Sequence, residues 1–253
     1  MRQSQDPKAV LITGASSGIG KAMALNYAAA GRRVFLQGRD RGRLDAVAVD
    51  CTKAGAEVDV QVLDVTDRQA MAAWIERVDQ TTPLDLIIAN AGVSGRSADD
   101  PDPLRTLFQV NVDGVLNTVE PVMPRMTARG RGHIAIMSSL AAFRGTPTAP
   151  GYTATKAAVR LYGEGLRGKL MKDGVAVSVI CPGFVKTPMT DVNEFPMPFL
   201  MTPERAALII RRGLDRRAAR IAFPLRLYWI VRLVAALPPA WVDPVLQRFQ
   251  GKE

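Results

Sequence analysis

Apolar residues recur along the chain in two alternating kinds of run. Short, nearly continuous runs rich in Val, Ile and Leu occupy 10–12, 34–36, 58–63, 86–89, 134–137 and 175–180. Each is too short for a helix and reads as a strand buried on both faces. Longer segments between them, such as 19–30, 67–80, 104–127 and 153–172, have helical patterns long enough to cross over a sheet. Such alternation predicts a parallel sheet covered by helices on both sides. Right-handed crossovers make it a doubly wound α/β architecture of about seven strands, with 221–223 as the last.

Two regions break the rhythm. Residues 188–203 carry four prolines and the large apolar side chains Phe195, Met197, Phe199, Leu200 and Met201. They predict an irregular segment near a ligand. Thr202 then reads as an N-cap, with Pro203 in the first turn of a helix running to about 217. The second region is the apolar stretch 225–237, with Arg226 and Arg232 set into it and Pro238-Pro239 ending it. At about 1.5 Å per residue it is too short to span a bilayer.

Composition narrows the class. The 253 residues are 47% apolar and 23% charged, which suits one α/β domain over 1–253 and excludes general disorder. Cys51 and Cys181 stand far apart, against both a disulfide scaffold and a structural zinc site. The single histidine, His133, excludes any site needing two imidazoles. Residues 1–8 are polar and lack the apolar core of a signal peptide. The expected compartment is therefore the cytoplasm.

The net charge of +9 is uneven: residues 204–253 hold ten basic and four acidic side chains. That favours a phosphate-bearing ligand, an acidic membrane surface or nucleic acid. The plainer reading is a solvated, arginine-rich surface helix. No basic run of five occurs, so nucleic acid is not the expected partner.

Chemistry is concentrated at strand ends. After the first strand comes Thr13-Gly14-Ala15-Ser16-Ser17-Gly18-Ile19-Gly20, then an apolar helix. A pyrophosphate approaches backbone closely only where side chains are small or missing, so Gly14, Gly18 and Gly20 fit a dinucleotide-binding turn. The following helix aims its free N–H groups at the anion. Where a carboxylate would bind the ribose hydroxyls, after the second strand, the chain has Gly38 followed by Arg39. A guanidinium pairs with a 2′-phosphate, so NADP(H) is favoured and NAD(H) remains open. Arg41 and Arg43 lie close by, and Arg39 reads equally as one more solvated arginine.

Tyr152 and Lys156 share one face of a predicted helix at i,i+4 spacing. A phenol ordinarily titrates near 10, and a nearby ammonium lowers that value, which fits a proton donor or acceptor. Alone, the pair also fits surface neighbours. However, Ser138-Ser139 and Asn90-Ala91-Gly92 end two other strands, on the edge of a parallel sheet where ligands bind.

Taken together, these motifs resemble the classical short-chain dehydrogenase/reductase family over about residues 7–223. The resemblance rests on TGASSGIG at 13–20, Asp64-Val65, Asn90-Ala91-Gly92, Asn111, Ser139, YTATK at 152–156, and Pro182-Gly183-Phe184-Val185-Lys186-Thr187. It implies a single-domain Rossmann fold and hydride transfer between nicotinamide and a carbonyl or secondary alcohol. Tyr152 would be the acid/base, Lys156 would bind the nicotinamide ribose, and Ser139 would hold the reacting oxygen. Asn111 would support a relay water. Besides the glycines, Ser16, Ser17 and Ile19 would contact the cofactor from the turn. Asp64 and Val65 would lie near adenine, and Asn90, Ala91 and Gly92 beside the adenosine. Pro182, Gly183, Val185 and Thr187 would border the nicotinamide.

Departures from the family pattern are few. Ala89 stands where asparagine is common, and Pro121 and Pro124 should kink the helix carrying Asn111. Cys181 reads as a reactive thiol or, more simply, as a small buried residue.

The segment over 188–217 is expected to form a substrate lid and helix, implying an apolar substrate, although its apolar residues also suit packing on a neighbour. The apolar-basic extension 224–253, with Tyr228 and Trp229, suits a peripheral membrane contact, a subunit interface or a pocket wall. A homo-oligomer, dimer or tetramer, is expected. A catalytically silent cofactor sensor on the same fold is the alternative function, though it would usually lack the tyrosine or lysine. An extended epimerase or dehydratase would need a larger C-terminal domain.

Overall fold

The computed structural model describes residues 6–95, 100–193 and 195–247, with backbone alone for 245–247. The polar start at 1–5 and the end of the C-terminal extension, 248–253, lie outside the described residues, as do 96–99 and Glu194.

Seven parallel strands form one sheet: β1 (Ala9–Ile12), β2 (Arg33–Gly38), β3 (Glu57–Val62), β4 (Leu86–Ala89), β5 (Gly132–Met137), β6 (Val175–Pro182) and β7 (Arg220–Phe223). Their order is β3-β2-β1-β4-β5-β6-β7. The chain winds outward from β1 in one direction, then returns to β1 and continues in the other. The crevice at this reversal, outside the carboxyl ends of β1 and β4, is where such sheets bind ligands.

The helices are α1 (Gly18–Tyr27), α2 (Arg41–Lys53), α3 (Arg68–Thr81), α4 (Pro103–Phe108), α5 (Gly114–Val119), α6 (Met123–Ala128), α7 (Pro150–Leu170), α8 (Pro203–Asp215), α9 (Leu225–Ala236) and α10 (Pro239–Gln247). They divide between the faces, which is why the central strands are apolar at every position. Val10, Ile12, Leu86 and Ile88 point to one side, against Met23 and Tyr27 of α1, Leu44 and Val47 of α2 and Ile210 of α8. Leu11, Ile87, Ile134 and Ile136 point to the other, against Trp74 of α3, Val119 of α5 and Val159 and Leu166 of α7. Each such aliphatic side chain contributes about 1.5–3 kcal/mol by leaving water.

Thr202 caps α8, accepting a 3.3 Å bond from the Arg205 N–H, as the sequence predicts. Two stretches add detail to the sequence pattern. The stretch 41–53, not read as a crossover segment from the sequence, forms α2, whose apolar side is only Leu44, Val47 and Cys51. The helix expected over 104–127 runs unbroken through α4, a five-residue π-helical segment Gln109–Asp113 and α5, then breaks before α6, in the C-terminal part where the prolines predict a kink. The break before α6 falls at Pro121, which has no N–H to continue the ladder. Pro124 sits in the first turn of α6, where a missing N–H costs nothing. Among the described residues no helix is long and apolar enough to cross a membrane.

Candidate active site

A groove of about 350 Å³ runs along the carboxyl edge of the sheet. Every site residue expected from the sequence lines it except Asn111. The turn between β1 and α1 forms one wall. Gly18 has φ +52°, and a Cβ there would come 2.8 Å from the Thr187 methyl. A Cβ at Gly20 would run into the Gly14 carbonyl and lie 2.7 Å from Asn90 Nδ2. These glycines are thus required by the turn's own packing as well as by any phosphate above it.

The turn is anchored from two sides. The Gly14 N–H donates to Gln37 Oε1 at 3.1 Å, and the Ala15 N–H to the Gln37 carbonyl at 2.9 Å. The Asn90 amide donates to the carbonyls of Thr13 (2.9 Å) and Gly14 (3.2 Å), while Thr13 Oγ1 accepts the N–H groups of Asn90 and Ala91. The Asn90 side chain therefore braces the turn, leaving its backbone on the groove wall. Gln37, buried between β1 and Leu63, was not singled out in the sequence, where an interior strand glutamine carries no motif signal.

At the β2 end, Arg39 is 67% exposed and only loosely paired with Asp64, at 3.6 Å. Arg43 lines the same end, its Nε donating to Asp40 at 2.7 Å. It is a second guanidinium that the sequence reading left among the solvated arginines.

The chemical end is built from β5 and α7. Ser138 and Ser139 are adjacent but differently placed. Ser138 is buried and its hydroxyl donates to the Lys156 carbonyl at 2.8 Å. Ser139 lines the groove, and its Oγ accepts the Ala141 N–H at 3.1 Å, capping a short 3₁₀ turn. Tyr152 and Lys156 project from α7 into the groove, with Lys156 Nζ 5.8 Å from the Tyr152 ring centre. Lys156 is buried, Nζ donates to the Met137 carbonyl at 3.3 Å, and burial pushes its pKa down to about 8.

The expected lowering of the Tyr152 pKa is not what the chain alone produces. Burial is the largest influence and raises it, and a hydrogen bond with Ser139 pulls the other way. Removing the phenolate from water outweighs these local contacts.

Asn111 lies fully buried in the π-helical segment. Its amide donates to the Val93 carbonyl (3.0 Å) and Thr155 Oγ1 (3.2 Å), and its Oδ1 accepts the Val93 N–H at 2.8 Å. It joins the loop after β4 to the turn of α7 between Tyr152 and Lys156, and is a positioning residue rather than part of the groove wall.

Pro182, Gly183, Val185 and Thr187 close the groove from the end of β6. A single parallel bridge pairs Val185 with Met201: Lys186 N donates to the Met201 carbonyl at 2.9 Å, and Met201 N to the Phe184 carbonyl at 3.1 Å. Met201 therefore anchors the loop and packs on the core, whereas Phe199 and Leu200 stand exposed. Phe195 stacks edge-on against Phe184, centres 5.9 Å apart. Pro188, Met189 and Thr190, also on the wall, were not named individually beforehand.

Two candidate groups lie outside the chemistry. His133, near the start of β5, is at the opposite edge, bonded to Ser178 Oγ at 2.8 Å, and burial pushes its pKa down to about 4. Burial pushes the Cys181 thiol up to about 12, so it stays protonated.

The model of the short chain dehydrogenase family matches residues 8–195. A relative described as an uncharacterized oxidoreductase of Myxococcus xanthus (strain DK1622) is 39% identical over 247 residues, 96% of this chain and 98% of the relative. Among solved structures, a short-chain dehydrogenase from Sphingobium yanoikuyae in complex with NADPH superposes with a TM-score of 0.79 and 26% identity, over 97% of this chain and 98% of that one. A short chain dehydrogenase from Mycobacterium paratuberculosis bound to NAD gives a TM-score of 0.73 and 26% identity, over 87% and 95%.

Proposed function

The chain belongs to the short chain dehydrogenase family, and from that premise we propose that it transfers a hydride between NADP(H) and the carbonyl or secondary alcohol of an apolar substrate. The observation carrying this reading is that the glycine turn after β1, Ser139 after β5, and Tyr152 and Lys156 of α7 line one groove. The groove fits a dinucleotide: it has backbone N–H groups at the start of α1, a guanidinium at the β2 end and a phenol at the other. When bound, the nicotinamide supplies or accepts the hydride.

The chain's residues manage the proton and the oxygen. In reduction, the carbonyl oxygen needs a proton as its carbon gains the hydride, and Tyr152 Oη gives it. In oxidation the phenolate takes that proton back. Ser139 Oγ donates to the same oxygen and holds it beside the phenol. Below about pH 8 the Lys156 ammonium prevails, and its charge favours phenolate. Arg39, with Arg43 beside it, pairs with the 2′-phosphate and supports NADP(H) over NAD(H).

The apolar substrate is supported by Phe195, Met197, Phe199 and Leu200, carried on the loop between Thr187 and Met201. Exposed Leu104, Phe108 and Leu161, on α4 and α7, support assembly into a homo-oligomer. The test is a panel of ketones and secondary alcohols with NADPH or NADP+, followed at the nicotinamide absorbance. Turnover of bulky apolar ketones with NADPH is expected; turnover confined to small charged ketones, or equal efficiency with NADH, overturns the corresponding part.

A further inference from the structure

The helix α9 has two unlike sides. Inward, Leu227 and Tyr228 pack on Leu140 and Cys181, and Tyr228 meets Phe143 edge-on. Leu227 also lies against Gly183 of the groove wall. Outward, Leu225, Trp229, Leu233 and Leu237 repeat every fourth residue with Ile230 beside them, and Trp241 of the following helix α10 is exposed as well. Trp229 and Trp241 are 65% and 69% exposed, although the third tryptophan, Trp74, is buried. Water alone does not favour so continuous an apolar surface.

Charge identifies the occupant. Between Asp215 and Asp243 the chain has no acidic residue, whereas Arg226 stands exposed in α9 and Arg232, also exposed, carries its guanidinium over the Phe143 ring at 5.6 Å. Among the described residues no carboxylate pairs with either arginine. A second copy seated symmetrically on this face would bring another Arg226 and Arg232 and no α9 carboxylate into a drying interface. An anionic lipid surface supplies what both kinds of residue need: phosphates for the Arg226 guanidinium, and an interfacial zone that suits tryptophan. Twelve residues of helix reach about 18 Å, too short to span, so the helix lies in the plane of the interface.

We propose that the outer face of α9, extended by Trp241, seats on anionic membrane lipid. Because the inner face of α9 touches Gly183, docking also brings the groove close to the bilayer. Delivery of an apolar substrate from the lipid would follow, a step that rests on the proposed reaction.

The test uses the full-length chain with vesicles of phosphatidylcholine alone or mixed with phosphatidylglycerol. Co-sedimentation and a blue shift of tryptophan emission are expected on the anionic vesicles only. Trp229→Glu/Leu233→Glu should weaken binding at least about tenfold, and Arg226→Glu about tenfold. Circular dichroism melting and gel filtration show that the variants are folded. No binding by the wild type, or equal binding by wild type and Trp229→Glu/Leu233→Glu, overturns the proposal. So does a wild-type oligomer that this double variant splits while neither protein binds vesicles, which would make the face a contact between copies. Turnover of a water-soluble ketone reads the reaction separately, so either idea can fail alone.

Discussion

Ser138 Oγ donates to the backbone carbonyl of Lys156 at 2.8 Å, tying the end of β5 to the turn of α7 that carries the lysine. The adjacent Ser139 hydroxyl instead bonds with Tyr152 and accepts the Ala141 N–H. Ser138→Ala should cost about 1 kcal/mol of stability in urea unfolding, with a small fall in kcat. Ser139→Ala should instead lower kcat by about a hundredfold while cofactor binding persists. Equal kinetic losses in the two variants would remove the distinction.

Lys156 gives a pH signature in stability. Its folded pKa is about 8, below the ordinary lysine value of 10.5, so between these pH values the unfolded chain holds a proton that the folded chain lacks. Stability contributed by this group therefore rises with pH across that window, and below it the full cost of burying the ammonium is present. Lys156→Met should be more stable than the wild type at pH 7, by on the order of 2 kcal/mol. That gap should shrink toward pH 10, and turnover should be lost. Urea titrations at several pH values check both.

Arg39 sits at the β2 end of the groove, loosely paired. Arg39→Ala should raise KM for NADPH about tenfold or more and leave that for NADH nearly unchanged. Adding Arg43→Ala should deepen the loss. Steady-state kinetics with both coenzymes decide, and a parallel loss for NADH would assign Arg39 a general structural role.

His133, the chain's single imidazole, offers a clean titration. Its folded pKa of about 4 lies below the ordinary 6.5 because it is buried next to Ser178. As pH falls from 6.5 toward 4, the unfolded chain gains a proton and the folded chain does not, so stability is lost over that range. His133→Asn should flatten this component. NMR of the imidazole proton in the wild type should show a midpoint near 4, and a midpoint near 6.5 would contradict the buried setting.

Much of this was legible in the sequence because the signals were local. The strand runs, the glycine turn and the Thr202 cap are each written in a few consecutive residues. So is the Tyr152/Lys156 spacing, which helix geometry converts directly into a shared face. What escaped depends on distant partners. α2 has only three buried apolar positions, so its amphipathic pattern is thin. Gln37 matters because two loops meet over it. The Tyr152 pKa turned on enclosure by the folded chain, which no spacing reveals. Likewise, Met201 reads as one more apolar lid residue until its backbone is seen paired across to Phe184 and Lys186.

That pairing has an evolutionary reading. Both feet of the 188–200 excursion are held by the Val185–Met201 bridge, and Thr190 Oγ1 ties its first turn back to the Val185 carbonyl at 2.7 Å. Even doubling the excursion's length would add only about 0.6 kcal/mol of closure entropy. Beyond Thr190, which belongs to the groove wall, the stretch is thus a replaceable cassette: selection can rewrite which molecules are admitted while the two anchors stay the same, and an engineer can graft a relative's segment there.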